Sequence, residues 1–314
     1  MNKFTILPED NFIWNGKELL EFLIANQGKD IELDINEEGS CLTSISVYEM
    51  LDMFKFNSVS ITTDNLVEAH DRYNIIPGKR RYRFFDAKGV DYSQYHTWNQ
   101  DTIFGALYNR ASWHRIGLAT HLYKKRTTLN FRYNPHNEDQ RGEFDLQQLF
   151  EVDPVSVERF MSLYDKFPHQ LEDVDGYTVG ATTKKHTEQL AEFYHDFLID
   201  VVSESFVNGR TFYATEKTVR PMLMKKPFIV MGPKCFLIHL RQMGFKTFHD
   251  FWDEDYDGYG PEIRYHHILN LIDTLNEKSF EELQDMYQRM QPILDHNYNL
   301  LTAGTFSKEI TYTE

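Results

Sequence analysis

Cysteine is nearly absent from this chain. Cys41 and Cys235 are its two cysteines and lie far apart, so no disulfide framework is expected and a reducing cytoplasm is the simple reading. No apolar run approaches the roughly 20 residues that a spanning helix needs, so no membrane partner is expected. The opening stretch Met1–Pro8 does not read as a signal peptide, because Glu9 and Asp10 interrupt it early. Gly-x-Gly-x-x-Gly, a Walker A loop, a nucleophile elbow and Cys-x-x-Cys are all missing. Net positive charge is missing too. A formal charge of −15 argues against non-specific nucleic-acid binding, which needs a basic footprint. It leaves room for local basic grooves. Lys79, Arg80, Arg81 and Arg83 form one cluster, and Lys124, Lys125, Arg126 and Arg132 form another. Each also reads as a solvated charge run.

What the chain does contain is ordinary for a globular protein, with 41% hydrophobic and 26% charged residues over 314 positions. That length buries one large core or two modest ones. With 24 Phe and 18 Tyr, aromatic cores are expected. Ile31–Ile35 alternates as a strand, a helix follows from about 44 to 54, and Ser58–Thr63 is a second strand. Leu66 to Tyr73 reads as a short helix and Tyr82–Phe85 as a third strand. This β-α-β-α-β order predicts a small parallel sheet, with a boundary near Trp98. The pattern then restarts. Strands are expected at 102–108, 127–133, 197–202 and 227–231, and helices at 112–123, 184–194, 235–243, 261–275 and 280–294. The fold class is therefore α/β, two Rossmann-like halves with a cleft between them and a helical C-terminus. The division is 1–98 and 99–314. In such folds ligands sit at the carboxyl ends of the parallel strands.

One segment stands out chemically. From Tyr213 to Lys246 there are seven basic residues (217, 220, 225, 226, 234, 241 and 246) against one acid, Glu216. Thr215 ahead of Glu216 and Lys217 is a helix start. A helix terminus with free N–H groups beside cations is an anion site, suited to a nucleotide diphosphate. Lys217 offers a point charge for phosphate, Glu216 can accept from ribose hydroxyls, and Tyr213 can stack on a base. The competing reading is a capped surface helix with Glu216 complementing its dipole.

Glu204-Ser205, seven residues, Tyr213-Ala-Thr-Glu-Lys217 and then Pro227-Phe-Ile-Val-Met-Gly232 together resemble the donor-binding signature of fucosyltransferase-like GT-B glycosyltransferases. The continuation, Thr218-x-Arg220-Pro221 and His239-Leu-Arg-x-Met-Gly-Phe-Lys-Thr-Phe248, resembles proteins of large tailed phages. The resemblance covers about residues 100–255. It implies a GT-B-like fold, a sugar-nucleotide-dependent transferase, and a nucleotide sugar such as a UDP-sugar as co-substrate, with no metal and no other cofactor. Carried over by residue, Glu216 binds the donor ribose and Lys217 the pyrophosphate, Tyr213 lies along the nucleotide, and Glu204 lies beside the sugar. Ser205, Thr215 and Arg220 complete the motif. Asn109-Arg110 and His114-Arg115 resemble the element that places an arginine on the donor phosphates, with Arg110 the first choice and Arg115 the second. Ser205 stands where the family has Asn, and Lys225-Lys226 where it has Ala or Gly. The phage likeness implies hydroxymethylated pyrimidines in DNA as the leading acceptor, in a host cytoplasm. Transfer to a glycan or protein is the alternative, and a non-catalytic nucleotide- or sugar-binding module is a further one.

Such a transfer needs a base for the acceptor hydroxyl and a way to hold the departing diphosphate. In the first half, Glu37 and Glu38 follow a strand end and Asp64 follows another, and these three are the base candidates. Asp173-Val-Asp175 matches a metal–nucleotide motif in type, and the acids from Asp253 to Asp257 could also gather a cation, although both read equally as acidic loops. His266-His267 offers no metal-ligand spacing.

Overall fold

The computed structural model describes residues 2–8, 13, 15–35, 39–78, 89, 91–133, 140–167, 169, 190–307 and 310. It is an α/β protein with two parallel four-stranded sheets. The first contains β1 (Asn2–Ile6), β2 (Asp30–Ile35), β3 (Ser58–Thr63) and β4 (Asn74–Pro77) in that spatial order. Helices α1 (Gly16–Ala25) and α2 (Val47–Asp52) connect its first three strands. The register pairs Ile31 with Val59 and Leu33 with Ile61, so alternate apolar residues share one face. Leu19 and Leu23 of α1 and Val47, Tyr48 and Leu51 of α2 cover that face. The other face is only half buried, which explains why these strands alternate in sequence.

The second sheet is buried on both sides. Its strands β5 (Phe104–Tyr108), β6 (Thr127–Phe131), β7 (Ile199–Ser203) and β8 (Phe228–Met231) run in the order β6-β5-β7-β8. Every residue of β5, β7 and β8 is buried, and their sequences are near-continuous apolar runs. Helix α3 (Trp113–Leu122) links β5 to β6. Helices α4 (Gln140–Val152) and α5 (Pro154–Ser162) follow, then α6 (Glu216–Leu223), α7 (Phe236–Gln242), α8 (Pro261–Asn276) and α9 (Phe280–Ala303). Trp98 belongs to this second core.

Several expectations change. Residues 66–73 form no helix. The Asn65 side chain accepts from Val67 N at 3.2 Å and from Phe212 N at 3.0 Å, while Leu66 N donates to Phe212 O at 3.1 Å. A local side-chain turn and a long-range backbone pair therefore replace helical bonds. The described fourth strand is β4, and 82–85 lies outside the described residues, as does most of 184–194. Ahead of Ile31, where the pattern assigns nothing, stand β1 and α1. Helix α9 runs past Leu294 through a polar stretch, because Asn297 accepts from Lys246 N and donates to Lys246 O, both at 2.8 Å.

Close approach sets Gly117. A Cβ on Gly117 of α3 would overlap the Tyr265 hydroxyl of α8. Gly117→Ala is expected to cost about 1–3 kcal/mol through overpacking, read as a lower urea midpoint with an unchanged slope.

Candidate functional site

The chain order reverses between β5 and β7. From β5 the chain steps outward to β6, then returns to the other side of β5 and proceeds through β7 to β8. That is a topological switch point, and the crevice at the carboxyl ends of its strands is where ligands sit in open α/β sheets. The loops leaving β5 and β7 carry Asn109-Arg110 and Glu204-Ser205.

Helix α3 is clamped to the end of β7. Ser112 caps α3 in an extended conformation, but its hydroxyl meets His114 Nε2 at 2.9 Å rather than a helix N–H. His114 Nδ1 meets Ser203 Oγ at 2.7 Å. Burial pushes the His114 ring pKa well below its ordinary value, and the charges of Arg115, Arg264 and Lys217 push it the same way. The ring is neutral and links the two serines through one donor and one acceptor. Arg115 Nη2 donates to the carbonyls of Ser203 (3.1 Å) and Glu204 (2.9 Å). This corrects its expected role. Its guanidinium braces the strand end from inside instead of facing a phosphate.

Glu204 is 1% exposed. Its Oε1 accepts from Thr215 N (3.1 Å) and Thr218 Oγ1 (2.5 Å), and its Oε2 accepts from Thr215 Oγ1 (2.7 Å). The carboxylate is thus turned onto the first turn of α6, and the expected place beside a sugar does not fit it. Thr215 is the predicted N-cap, its hydroxyl accepting from Lys217 N at 3.1 Å. Lys217 Nζ lies 3.0 Å from Thr215 Oγ1, 3.2 Å from Ser205 Oγ and 3.3 Å from Glu216 Oε1, with its side chain 19% exposed. Arg110 is exposed on the loop that leaves β5. The structure therefore brings Ser205, Glu216 and Lys217 together at the carboxyl end of β7 and the amino end of α6, and puts Arg110 on the loop after the neighbouring β5. Such an arrangement favours an anion.

Two other predicted residues turn away. Arg220, on the buried face of α6, is 5% exposed and lies near Tyr194 and Asp200. Tyr213 is 6% exposed and packs on Gly39, where a Cβ would overlap its own and where φ is +82°. Tyr213 thus fills a seam between the two sheets instead of lying open to stack on a base. In that seam Thr211 Oγ1 donates to Gly39 O, Arg210 N donates to Cys41 Sγ at 3.2 Å, and Asn65 Nδ2 donates to Arg210 O at 3.0 Å. The loops leaving β2 and β3 thereby meet the loop that leads into α6.

On the first-sheet side, Asp64 follows β3, is 3% exposed, and lies directly over Gly78, where a Cβ would overlap its Oδ1. Glu37 and Glu38 lie outside the described residues, as do Asp173, Asp175 and the 79–83 cluster. Lys125 and Arg126 precede β6, at the amino ends of the strands and so at the opposite end of the sheet from the crevice. Lys125 pairs with Asp273, while Arg126 donates to Asn276 O and, at 2.7 Å, to Lys278 O. They close the end of α8 and line no groove at the site. The acids near 255 are also engaged. Asp257 accepts from Leu237 N and Ile238 N at 3.0 and 3.2 Å, and Glu254 from Phe248 N at 2.7 Å. His266 meets Val152 O at 3.2 Å and His267 stacks on Tyr259. Among the described residues no cluster of acids, histidines or cysteines could hold a metal, and no helix is long and apolar enough to cross a membrane.

Sequence reasoning missed His114 as a clamp and Arg264 as a support. Arg264 is 1% exposed and donates to Gly232 O, Val207 O (3.2 Å) and Tyr259 O (2.5 Å). It holds the turn after β8 from a helix that reads as a surface helix. The fold and site define an α/β protein with an anion-favouring crevice at a sheet switch point. No protein-family model, curated protein or solved structure matches the chain.

Proposed function

We propose that this chain is a glycosyltransferase of GT-B-like build, using a nucleotide sugar such as a UDP-sugar as donor and a hydroxyl compound as acceptor. The observation that carries this reading is the grouping of Ser205, Glu216 and Lys217 at the β5/β7 switch point, with Arg110 on the loop that leaves β5. The diphosphate would lie between Arg110, Lys217 and the amino end of α6, with the ribose toward Glu216. The fucosyltransferase-like motif supports the same assignment. In the reaction a base takes the acceptor proton as its oxygen bonds to the anomeric carbon, the sugar–phosphate bond breaks, and the nucleoside diphosphate leaves with its charge held by the cations. Asp64 is the base candidate within the described residues, with Glu37 and Glu38 beside it in the proposal. The loops after β2 and β3 would present the acceptor, for which DNA with hydroxymethylated pyrimidines is the leading class.

The test is UDP binding by calorimetry, followed by diphosphate release from a panel of sugar nucleotides with and without modified DNA. Lys217→Ala is expected to weaken UDP binding by about tenfold, since one charge-assisted phosphate contact is lost. Unchanged affinity would remove the donor assignment. Undiminished release in excess chelator is expected, and abolition would point instead to Asp173 and Asp175. Release stimulated by a glycan or protein and not by DNA would move the acceptor to that class.

A further inference from the structure

Beneath α6 lies a buried charged cluster that the donor motif does not use. Asp200 on β7 is 3% exposed, Tyr194 0% and Arg220 5%. The Tyr194 hydroxyl donates to Asp200 Oδ2 at 2.5 Å and accepts from Arg220. Arg220 stands four residues after Glu216, so the two share one face of α6 and attract each other. Arg220 Nε makes no hydrogen bond among the described residues. The guanidinium is therefore held by its hydrogen bond to Tyr194 and by the charges of Asp200 on the sheet side and Glu216 on its own helix.

We propose that Arg220 is a positioning residue that sets how far the Glu216 carboxylate reaches into the crevice, with Asp200 and Tyr194 as the counterweight behind it. The proposal rests on the donor-site reading for its consequence, though not for its geometry. With Asp200 ionised, Arg220 is shared between two carboxylates, and Glu216 can face a ligand hydroxyl. With Asp200 neutral, Glu216 is the sole anionic partner of Arg220 in this cluster and is drawn inward.

Burial raises the Asp200 carboxyl to about 6, while Arg220 and the Tyr194 hydrogen bond oppose the rise. The groups facing Asp200 are Tyr194 from the turn before β7, Arg220 from α6 and Tyr108 from β5. The tyrosine hydroxyls are pushed well above their ordinary range by burial and stay neutral. Asp200 is then the group of this cluster that changes charge near pH 6.

The experiment has two arms. In the first, carbon-13 carboxyl NMR follows Glu216 and Asp200 without ligand in the wild type, Asp200→Asn and Tyr194→Phe, the last covering the case where Asp200→Asn does not fold. Glu216 is expected to titrate about half a pH unit lower in Asp200→Asn, and to move in the same direction in Tyr194→Phe. In the second, UDP affinity is measured from about pH 5 to about pH 8. Wild-type affinity is expected to fall about threefold further than that of Asp200→Asn as the pH drops through about 6, the variant keeping only the step that comes from protonation of the UDP terminal phosphate. An unmoved Glu216 titration overturns the coupling whether or not UDP binds, and so does a pH step in Asp200→Asn as large as that of the wild type. Absence of UDP binding in the wild type would defeat the donor reading, while a displaced Glu216 titration would still support the coupling.

Discussion

Replacing Glu204 with alanine is expected to lower the unfolding free energy by about 3–5 kcal/mol and to abolish measurable UDP binding. The carboxylate is buried and accepts three hydrogen bonds from Thr215 and Thr218. Hydrogen bonds to a charged group contribute about 1.5–3 kcal/mol each, and a donor left buried without a partner adds its desolvation cost. The three donors also define the entry into α6. Thr215 Oγ1 accepts from Lys217 N and lies beside Lys217 Nζ, so loosening it displaces the cation proposed to meet the diphosphate. Glu204→Gln provides the control. Its shape is retained, one oxygen still accepts, and the threonine hydroxyls can rotate to receive its amide, so a loss nearer about 1–2 kcal/mol is expected. Urea titration of the three proteins checks the ranking. Near-wild-type stability of the alanine variant would show that the carboxylate is not the brace of this loop.

Where local chemistry decides structure, the sequence was readable. Ser58–Thr63 alternates because one face of its sheet is covered, and the strand has those bounds. Thr215 opens α6 because a hydroxyl there can accept from the second amide of the helix. Charge, however, carries no direction in a sequence. Arg110, Arg115 and Arg220 are equivalent as letters, yet one faces solvent, one turns onto two carbonyls and one sits on the buried face of its helix. Their directions depend on Ser203, Glu204, Tyr194 and Asp200, none of which any spacing rule links to them. Glu204 likewise shows in the sequence as a loop residue, while its bonds to Thr215 and Thr218 do not. The helix expected at 66–73 fails because Asn65 pairs with the backbone at 210–212, nearly half the chain away. The polar run inside α9 hides a helix whose Asn297 recognises the backbone of Lys246.

Lys226 is the residue whose removal is expected to stabilise the protein. It precedes β8 and is fully buried, with Nζ donating to Thr97 O at 2.8 Å and lying 5.8 Å from the ring centre of Tyr287. Burial depresses its pKa from 10.5 to about 7, and the Asp196 charge offsets this only in part. Above about pH 10.5 the amine is neutral in both folded and unfolded chains and imposes no charge penalty. As the pH falls from there toward 7 the unfolded chain takes up the proton first, so the unfolding free energy declines through that window. Below about 7 both states are protonated and the full penalty remains. At roughly 1.4 kcal/mol for each tenfold loss of proton affinity, that penalty is on the order of a few kcal/mol. Lys226→Met keeps the length and most of the volume while removing the charge. It leaves Thr97 O without its donor, a cost of about 1 kcal/mol. The net expectation is a gain of about 2 kcal/mol or more near pH 6 that shrinks steadily toward about pH 10. Urea unfolding of both proteins across that range, compared as a difference at each pH, isolates the contribution of this amine from the other groups that titrate there. A difference that does not change with pH would mean that Lys226 keeps its proton in the folded protein, held by Thr97 and the face of Tyr287.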